Sequence, residues 1–259
     1  SVTLAAPDSW GAAAMLPVLD SVAAQKPSAL LVVPTDVNAL TDRLTSIKGG
    51  GAPIVELDQR VADASVSVSK IGSSDAEGGR LAAQALAKLI GGKGKVMAIS
   101  SPPGTDTQYV RVDAFVAELK ANFPGITYLG AQYALNDVTA AAGFVTSTLA
   151  SNPDLAGVFV ANDINAIGAV TGLDEAKVVG KVKVVAYDAA STEVDALKRG
   201  AVQALIAQDP YGEGHEGVVQ ALAALKGTPN KAEIAIPFVT LTAADTAGLD
   251  AYMVRNGGC

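Results

Sequence analysis

The feature that most constrains this chain is its alternation between short, near-continuous apolar runs and longer segments whose apolar residues recur every three or four positions. The runs at residues 2–6, 29–34, 53–58, 95–100, 127–133, 157–160, 182–187, 204–207 and 238–241 read as strands. A strand can be apolar at successive positions only if both faces of its sheet are covered, which is the situation of parallel sheets whose crossover helices lie on both sides. The intervening segments supply those helices. Met15, Val18, Leu19 and Val22 share one helical face, and Leu81, Ala85, Leu86 and Leu89 share another. Asp36, Asp75, Thr105, Asp137 and Ser191 stand where helix caps are expected. The pattern is that of an α/β protein built from βαβ units.

A chain of 259 residues is long for one layered core and suits two such lobes. Hydrophobic residues make up 49% and charged ones 17%, enough for compact cores without the polar bias of a disordered chain. The net charge of −7 argues against partners that require a basic face, so nucleic acid and anionic lipid surfaces are not expected. No run approaches the roughly 20 apolar residues that cross a bilayer. The single cysteine, Cys259, cannot form an internal bridge.

Catalytic constellations are missing where they would have to be. His215 is the only histidine, which removes two-histidine metal sites, and one cysteine removes thiolate clusters. No Gly-x-Ser-x-Gly elbow accompanies it, and no Gly-x-x-x-x-Gly-Lys-Ser/Thr phosphate loop occurs. The glycine-rich Gly91-Gly92-Lys93-Gly94-Lys95 runs from helix into strand, the wrong polarity for offering helix amides to an anion. No catalytic residue, metal or cofactor is therefore expected, and His215 reads as a helix-surface residue. What remains are single polar side chains at the carboxyl ends of strands, where open parallel sheets hold their ligands. Asp58, Asn162, Asp163, Asp188 and Gln208 occupy such positions. Any one of them could instead cap a helix. Four strands delivering acceptors and amides to one rim favour a binding site.

These positions resemble the ribose-binding-protein branch of periplasmic sugar-binding proteins. The resemblance is carried by Leu30-Leu31-Val32-Val33-Pro34-Thr35-Asp36, Pro53-Ile54-Val55-Glu56-Leu57-Asp58, Ile71-Gly72-Ser73-Ser74-Asp75 with Gly78-Gly79-Arg80, and Gly104-Thr105 leading to Arg111 and Phe115. It continues in Val158-Phe159-Val160-Ala161-Asn162-Asp163, Ala186-Tyr187-Asp188 and Ile206-Ala207-Gln208-Asp209-Pro210. It implies the type I periplasmic binding fold: two doubly wound parallel-sheet lobes joined by a three-crossing hinge near residues 73–75, 208–210 and 237–239. The first lobe would hold residues 1–73 and 209–237, the second residues 74–208 and 238–259.

The resemblance further implies a small sugar or polyol as ligand in the cleft between the lobes, held by Asp58, Arg111, Asn162, Asp188 and Gln208. Tyr187 stands where the family sets an aromatic ring against the sugar, its other reading being core packing. The family's Asp-Arg pair appears here as Asp58-Gln59-Arg60, so Gln59 and Arg60 are equal candidates. Asn136 replaces a second-lobe aromatic and Val33 an asparagine, which points away from ribose itself. The implied role is the solute-binding protein of an ABC importer, periplasmic or extracellular and membrane-anchored, a monomer whose macromolecular partner is the membrane permease. The ligand-sensing core of a lactose-repressor-type regulator shares the fold and is the rival reading.

Two further expectations follow. Family members open with a strand and helix ahead of the segment matching residues 2–6, so another segment should supply that strand or the first lobe should be rearranged. Asp188→Ala and Arg111→Ala should each abolish stabilisation by ligand while sparing the ligand-free melting point.

Overall fold

The structure, a computed structural model, describes residues 1–101 and 108–257. The chain groups into two compact units, Ser1–Ser73 with Pro210–Ile236 and Ser74–Asp209 with Pro237–Cys259, and passes between them three times. The first unit opens with α1 (Ala12–Ala24), β1 (Leu30–Val32), α2 (Thr41–Gly49), β2 (Ile54–Leu57) and β3 (Ser69–Ser73). The second runs through α3 (Asp75–Leu89), β4 (Gly94–Ser100), α4 (Gln108–Asn122), β5 (Ile126–Tyr133), α5 (Val138–Ser151), β6 (Leu155–Val160), α6 (Asp163–Glu175), β7 (Lys183–Tyr187), α7 (Ser191–Lys198) and β8 (Ala204–Ala207). The chain returns to the first unit for α8 (Pro210–Leu225) and β9 (Glu233–Ile236), then ends in the second with β10 (Val239–Leu241) and α9 (Thr246–Asn256).

In the first unit four parallel strands lie in the order β1-β2-β3-β9. Side chains alternate across the sheet. Val32 and Ile54 face Met15, Leu19, Leu44 and Ile47 of α1 and α2, while Val55 and Ile71 face Ala221 of α8. The second unit holds a six-stranded sheet, β10-β8-β7-β6-β4-β5, parallel except for β10. Met97, Ile99, Val158, Val160, Val184 and Ala186 point to the face that carries Ala141, Ala169, Leu173, Leu197 and Leu249. Val96, Ala98, Phe159, Val185 and Tyr187 point to the opposite face, against Ala82, Leu86, Val112 and Phe115. The continuous apolar runs are thus explained: successive residues serve two cores.

One expected strand is absent and two unexpected ones are present. Residues 2–6 form no strand, and Val2 and Leu4 are 90% and 93% exposed. A β-branched run becomes a strand only where a ladder partner exists, and β1 is bonded to β2 alone, with no other strand paired to it among the described residues. Conversely, β3 and β9 are strands that the apolar pattern does not announce. Ser-Lys-Ile-Gly-Ser is a poor strand sequence, and it is held because β2 pairs with it on one side and β9 on the other.

The caps also differ. Asp137 caps α5, accepting the amides of Thr139 and Ala140 at 2.8 and 3.0 Å. Asp36 instead forms a local turn with Asn38 and Ala39, ahead of α2. Ser74 caps α3 and leaves Asp75 as its first helical residue. At α7, Ser191 is the first helical residue, and the Glu193 carboxylate accepts the Ala190 amide in its place. Thr105 lies outside the described residues. His215 is on the exposed side of α8, its ring stacked at 6.3 Å from that of Tyr211.

Candidate functional site

Because β8, β7, β6, β4 and β5 are mutually parallel, their carboxyl ends share one edge of the second unit's sheet. Gln208, Asp188 and Asn162 follow three neighbouring strands there, in a row with the usual spacing of about 4.8 Å per strand. Asn136 follows β5, three residues beyond its end.

Arg111 is the centre of this edge. It sits on α4, is 4% exposed, and has its charge compensated locally. Its Nε donates to Asp75 Oδ1 at 2.7 Å and its Nη1 to the Ala161 carbonyl at 2.7 Å. The guanidinium carbon lies 3.7 Å from the centre of the Tyr187 ring, a cation–π stack in a desolvated setting. Burial works against the charge, but Tyr187, Asp75 and Asp188 together outweigh it and hold the pKa above its ordinary value. Arg111 is a fixed cation at the rim of the sheet.

Tyr187 is fully buried and packs edge-on against Phe238 at 5.3 Å. One face of the ring carries Arg111. The approach is tight enough to need glycine in α3. A Cβ at Gly78 would lie 2.3 Å from the Tyr187 hydroxyl oxygen, and one at Gly79 would lie 2.0 Å from the Arg111 carbonyl oxygen. Two adjacent glycines inside a helix cost about 1 kcal/mol each relative to alanine, so their presence marks a close contact. That pair is the sequence signal that could have located the Arg111 support.

Asn162 is 7% exposed and does two things. Its Oδ1 accepts the Asn165 amide at 3.2 Å, capping α6, and its Nδ2 donates to Asn136 Oδ1 at 2.6 Å. The cap and binding readings are therefore compatible, since the cap orients the amide that Asn136 meets. Asn136 and Asp188 both adopt positive φ, 62° and 73°, in the left-handed region that Asn and Asp tolerate best among residues with a Cβ. The Asp188 amide donates to the Ile206 carbonyl at 3.0 Å, so the kinked backbone is anchored to β8. The Gln208 carbonyl accepts the Tyr252 hydroxyl at 2.9 Å, and neighbouring Asp209 pairs with Arg255 at 2.8 and 3.0 Å.

The first unit has a corresponding turn after β2. Asp58 has φ 54°, its amide donates to the Ile71 carbonyl at 2.8 Å, and Gln59 Nε2 lies 3.4 Å from Asp58 Oδ2. Gly72 makes room, because a Cβ there would come within 3.0 Å of the Asp58 carbonyl oxygen. Arg60 is turned away to the exposed Glu233, 3.5 Å distant. Asp58 and Gln59 are half-buried and Arg60 is exposed. Asp75, which sequence reasoning took for a cap, and the Ala161 carbonyl are the site-edge groups it missed. Among the described residues there is no cluster of three or more His, Cys, Asp or Glu side chains that could hold a metal ion.

Comparison with known proteins gives a consistent result. A family model described as a periplasmic binding protein domain matches residues 1–229. A ribose import binding protein of Haemophilus influenzae is 31% identical over 207 residues, covering 80% of this chain and 69% of the relative. One of Salmonella typhimurium is 32% identical over 76% of this chain and 66% of the relative, so the chain spans about two thirds of the length of these curated relatives. Among solved structures, an ABC transporter solute-binding protein of Agrobacterium vitis bound to α-D-tagatopyranose superposes with a TM-score of 0.85 at 36% identity, covering 92% of this chain and 83% of that one. A carbohydrate transporter solute-binding protein of Agrobacterium radiobacter in complex with D-arabinose gives 0.83 at 29% identity over 94% and 84%. By its two parallel-sheet α/β units, which match the type I periplasmic binding fold, and by this extent of similarity, the chain belongs to the periplasmic binding protein domain family.

Proposed function

We propose that this protein is the extracytoplasmic solute-binding component of an ABC-type importer, which captures a small sugar or polyol for a membrane permease and performs no chemistry on it. The observation that carries this reading is the strand-end row of the second unit, built around a buried, pre-oriented Arg111 flanked by Asn162 and Asp188. A polyol presents hydroxyls that donate and accept at once, and such an edge offers a cationic donor, amides that do both, and carboxylate acceptors. Arg111, Asp188, Asn162, Asn136 and Gln208 are its ligand groups in the second unit, with Tyr187 as the platform under Arg111. Asp58 and Gln59 are those of the first, and Arg60 is the weaker candidate because it is exposed and paired with Glu233.

The energetics are adequate. Hydrogen bonds to charged groups contribute about 1.5–3 kcal/mol each, and a micromolar complex needs about 8 kcal/mol after ordering costs. Relatives that import ribose or were solved with α-D-tagatopyranose and D-arabinose support a monosaccharide-sized guest.

The test is a thermal-shift screen of purified protein against pentoses, hexoses, sugar alcohols and cyclitols. A true ligand at a hundred times its dissociation constant adds about 2.7 kcal/mol to folding, a shift of several degrees. A screen in which no sugar or polyol moves the melting point rejects the reading.

A further inference from the structure

Behind the strand-end row lies a carboxylic acid that the proposed binding contacts do not use. Glu193, in the first turn of α7, is 2% exposed. Its Oε2 accepts the Ala190 amide at 2.9 Å, and its own amide donates to the Ala190 carbonyl at 3.0 Å, so it grips the chain two residues after Asp188 from both directions. Its Oε1 is buried without a hydrogen-bond partner. The charges of two other carboxylates act on it, Asp188 at the end of β7 and Asp163 at the start of α6. Glu193 also lines a cavity of about 170 Å³ together with Asp174 and Arg199, which pair with each other at 3.6 Å. The charge of Asp188 also acts on Arg111.

Three carboxyl groups therefore influence one another, and they cannot all be ionised cheaply when one of them is buried. The geometry says which one keeps its proton. Glu193 is the most enclosed, whereas Asp188 and Asp163 are half-buried and Asp188 has Arg111 beside it. Burial first, and then the charges of Asp188 and Asp163, push the Glu193 carboxyl up to about 9, against the smaller opposing effect of the Ala190 amide.

We infer that Glu193 is a positioning residue for ligand binding: as a neutral acid it clamps the Asp188–Ala190 segment, in which Asp188 is left-handed and Ala190 extended, and its ionisation releases that segment. The inference rests on the proposed sugar-binding role of Asp188. Ionising Glu193 would set a third negative charge against Asp188 and Asp163 and drive apart the turn that presents Asp188. Glutamine at this position keeps an oxygen for the Ala190 amide and carries no charge at any pH.

The experiment is calorimetric titration of wild type, Glu193→Gln and Glu193→Ala with the sugar that stabilises the wild type most, at a series of pH values from neutral to about 10. Wild-type affinity is expected to fall at least about fivefold across that range, the glutamine variant to match wild type at neutral pH and stay within about twofold throughout, and the alanine variant to bind about tenfold more weakly at neutral pH. Superimposable pH profiles for wild type and Glu193→Gln, or undiminished binding by Glu193→Ala, overturn this inference while leaving the proposed function standing. Absence of sugar binding by wild type at neutral pH overturns both.

Discussion

Removing the Arg111 side chain is expected to damage the ligand-free protein as well as its binding. The residue pattern alone suggests a ligand group whose loss spares the fold, but the structure places the guanidinium at 4% exposure, bonded to an Asp75 carboxylate that is itself 13% exposed. Arg111→Ala leaves that carboxylate and the Ala161 carbonyl without their donor and uncovers the face of Tyr187. Breaking a buried ion pair from one side costs about 3–5 kcal/mol. At about 2–4 °C per kcal/mol for a chain of this size, the ligand-free melting point should drop by roughly 6–20 °C. Asp75→Ala should cost a similar amount, and the double variant much less than the sum, because the second removal takes away the charge stranded by the first. Scanning calorimetry of the four ligand-free proteins measures the cycle. A melting point for Arg111→Ala within about 2 °C of wild type, or strict additivity in the double variant, would refute the claim that the pair is a buried structural unit.

Other expectations follow from the same geometry. Asp188→Asn keeps a residue tolerant of φ 73° and removes only the charge, so affinity should fall about 10- to 100-fold by titration, in line with about 1.5–3 kcal/mol, with little change in ligand-free melting; an unaltered affinity would remove Asp188 from the site. Gly78→Ala forces a methyl group to within 2.3 Å of the Tyr187 hydroxyl, and overpacking of this kind costs about 1–3 kcal/mol. Adding Tyr187→Phe should recover part of that loss, and a chemical denaturation series showing no recovery would contradict the contact. Glu193 makes stability depend on pH with a definite sign. Its folded pKa of about 9 lies above the ordinary 4.5, so the folded protein keeps a proton that the unfolded chain has released. Its contribution is complete below about pH 4.5, declines by up to roughly 1.4 kcal/mol per unit, and levels off above about 9. Urea midpoints of Glu193→Gln should lack this decline, and parallel profiles for the two proteins would show that Glu193 does not carry it.

Which parts of this molecule could be read in advance follows from where each signal resides. Strands β4, β6, β7 and β8 were legible because each serves two cores, which writes an unbroken apolar run into the sequence. Strands β3 and β9 were not, because their hydrogen-bonding neighbours and not their own residues make them strands. The opposite error at residues 2–6 has the same cause: Val2 and Leu4 have the propensity and lack the ladder. Asp58, Asn162, Asp188 and Gln208 were legible as strand-end polar residues, since parallel topology alone aligns the carboxyl ends of neighbouring strands. The pairing of Asp75 with Arg111 was not, because it joins two helices 36 residues apart in sequence and Asp75 looks like any helix-start carboxylate. Gly78 and Gly79 recorded the closeness of that contact, and the partner they make room for became visible only in three dimensions.

In the proposed function a sugar or polyol replaces its water shell with the side chains at the carboxyl ends of these strands. A crystal structure of the protein with its best-stabilising sugar tests this directly. Ligand hydroxyl oxygens are expected at hydrogen-bond distance, about 2.6–3.2 Å, from Arg111, Asn162 and Asp188. Electron density for the sugar at a surface remote from all three would contradict it.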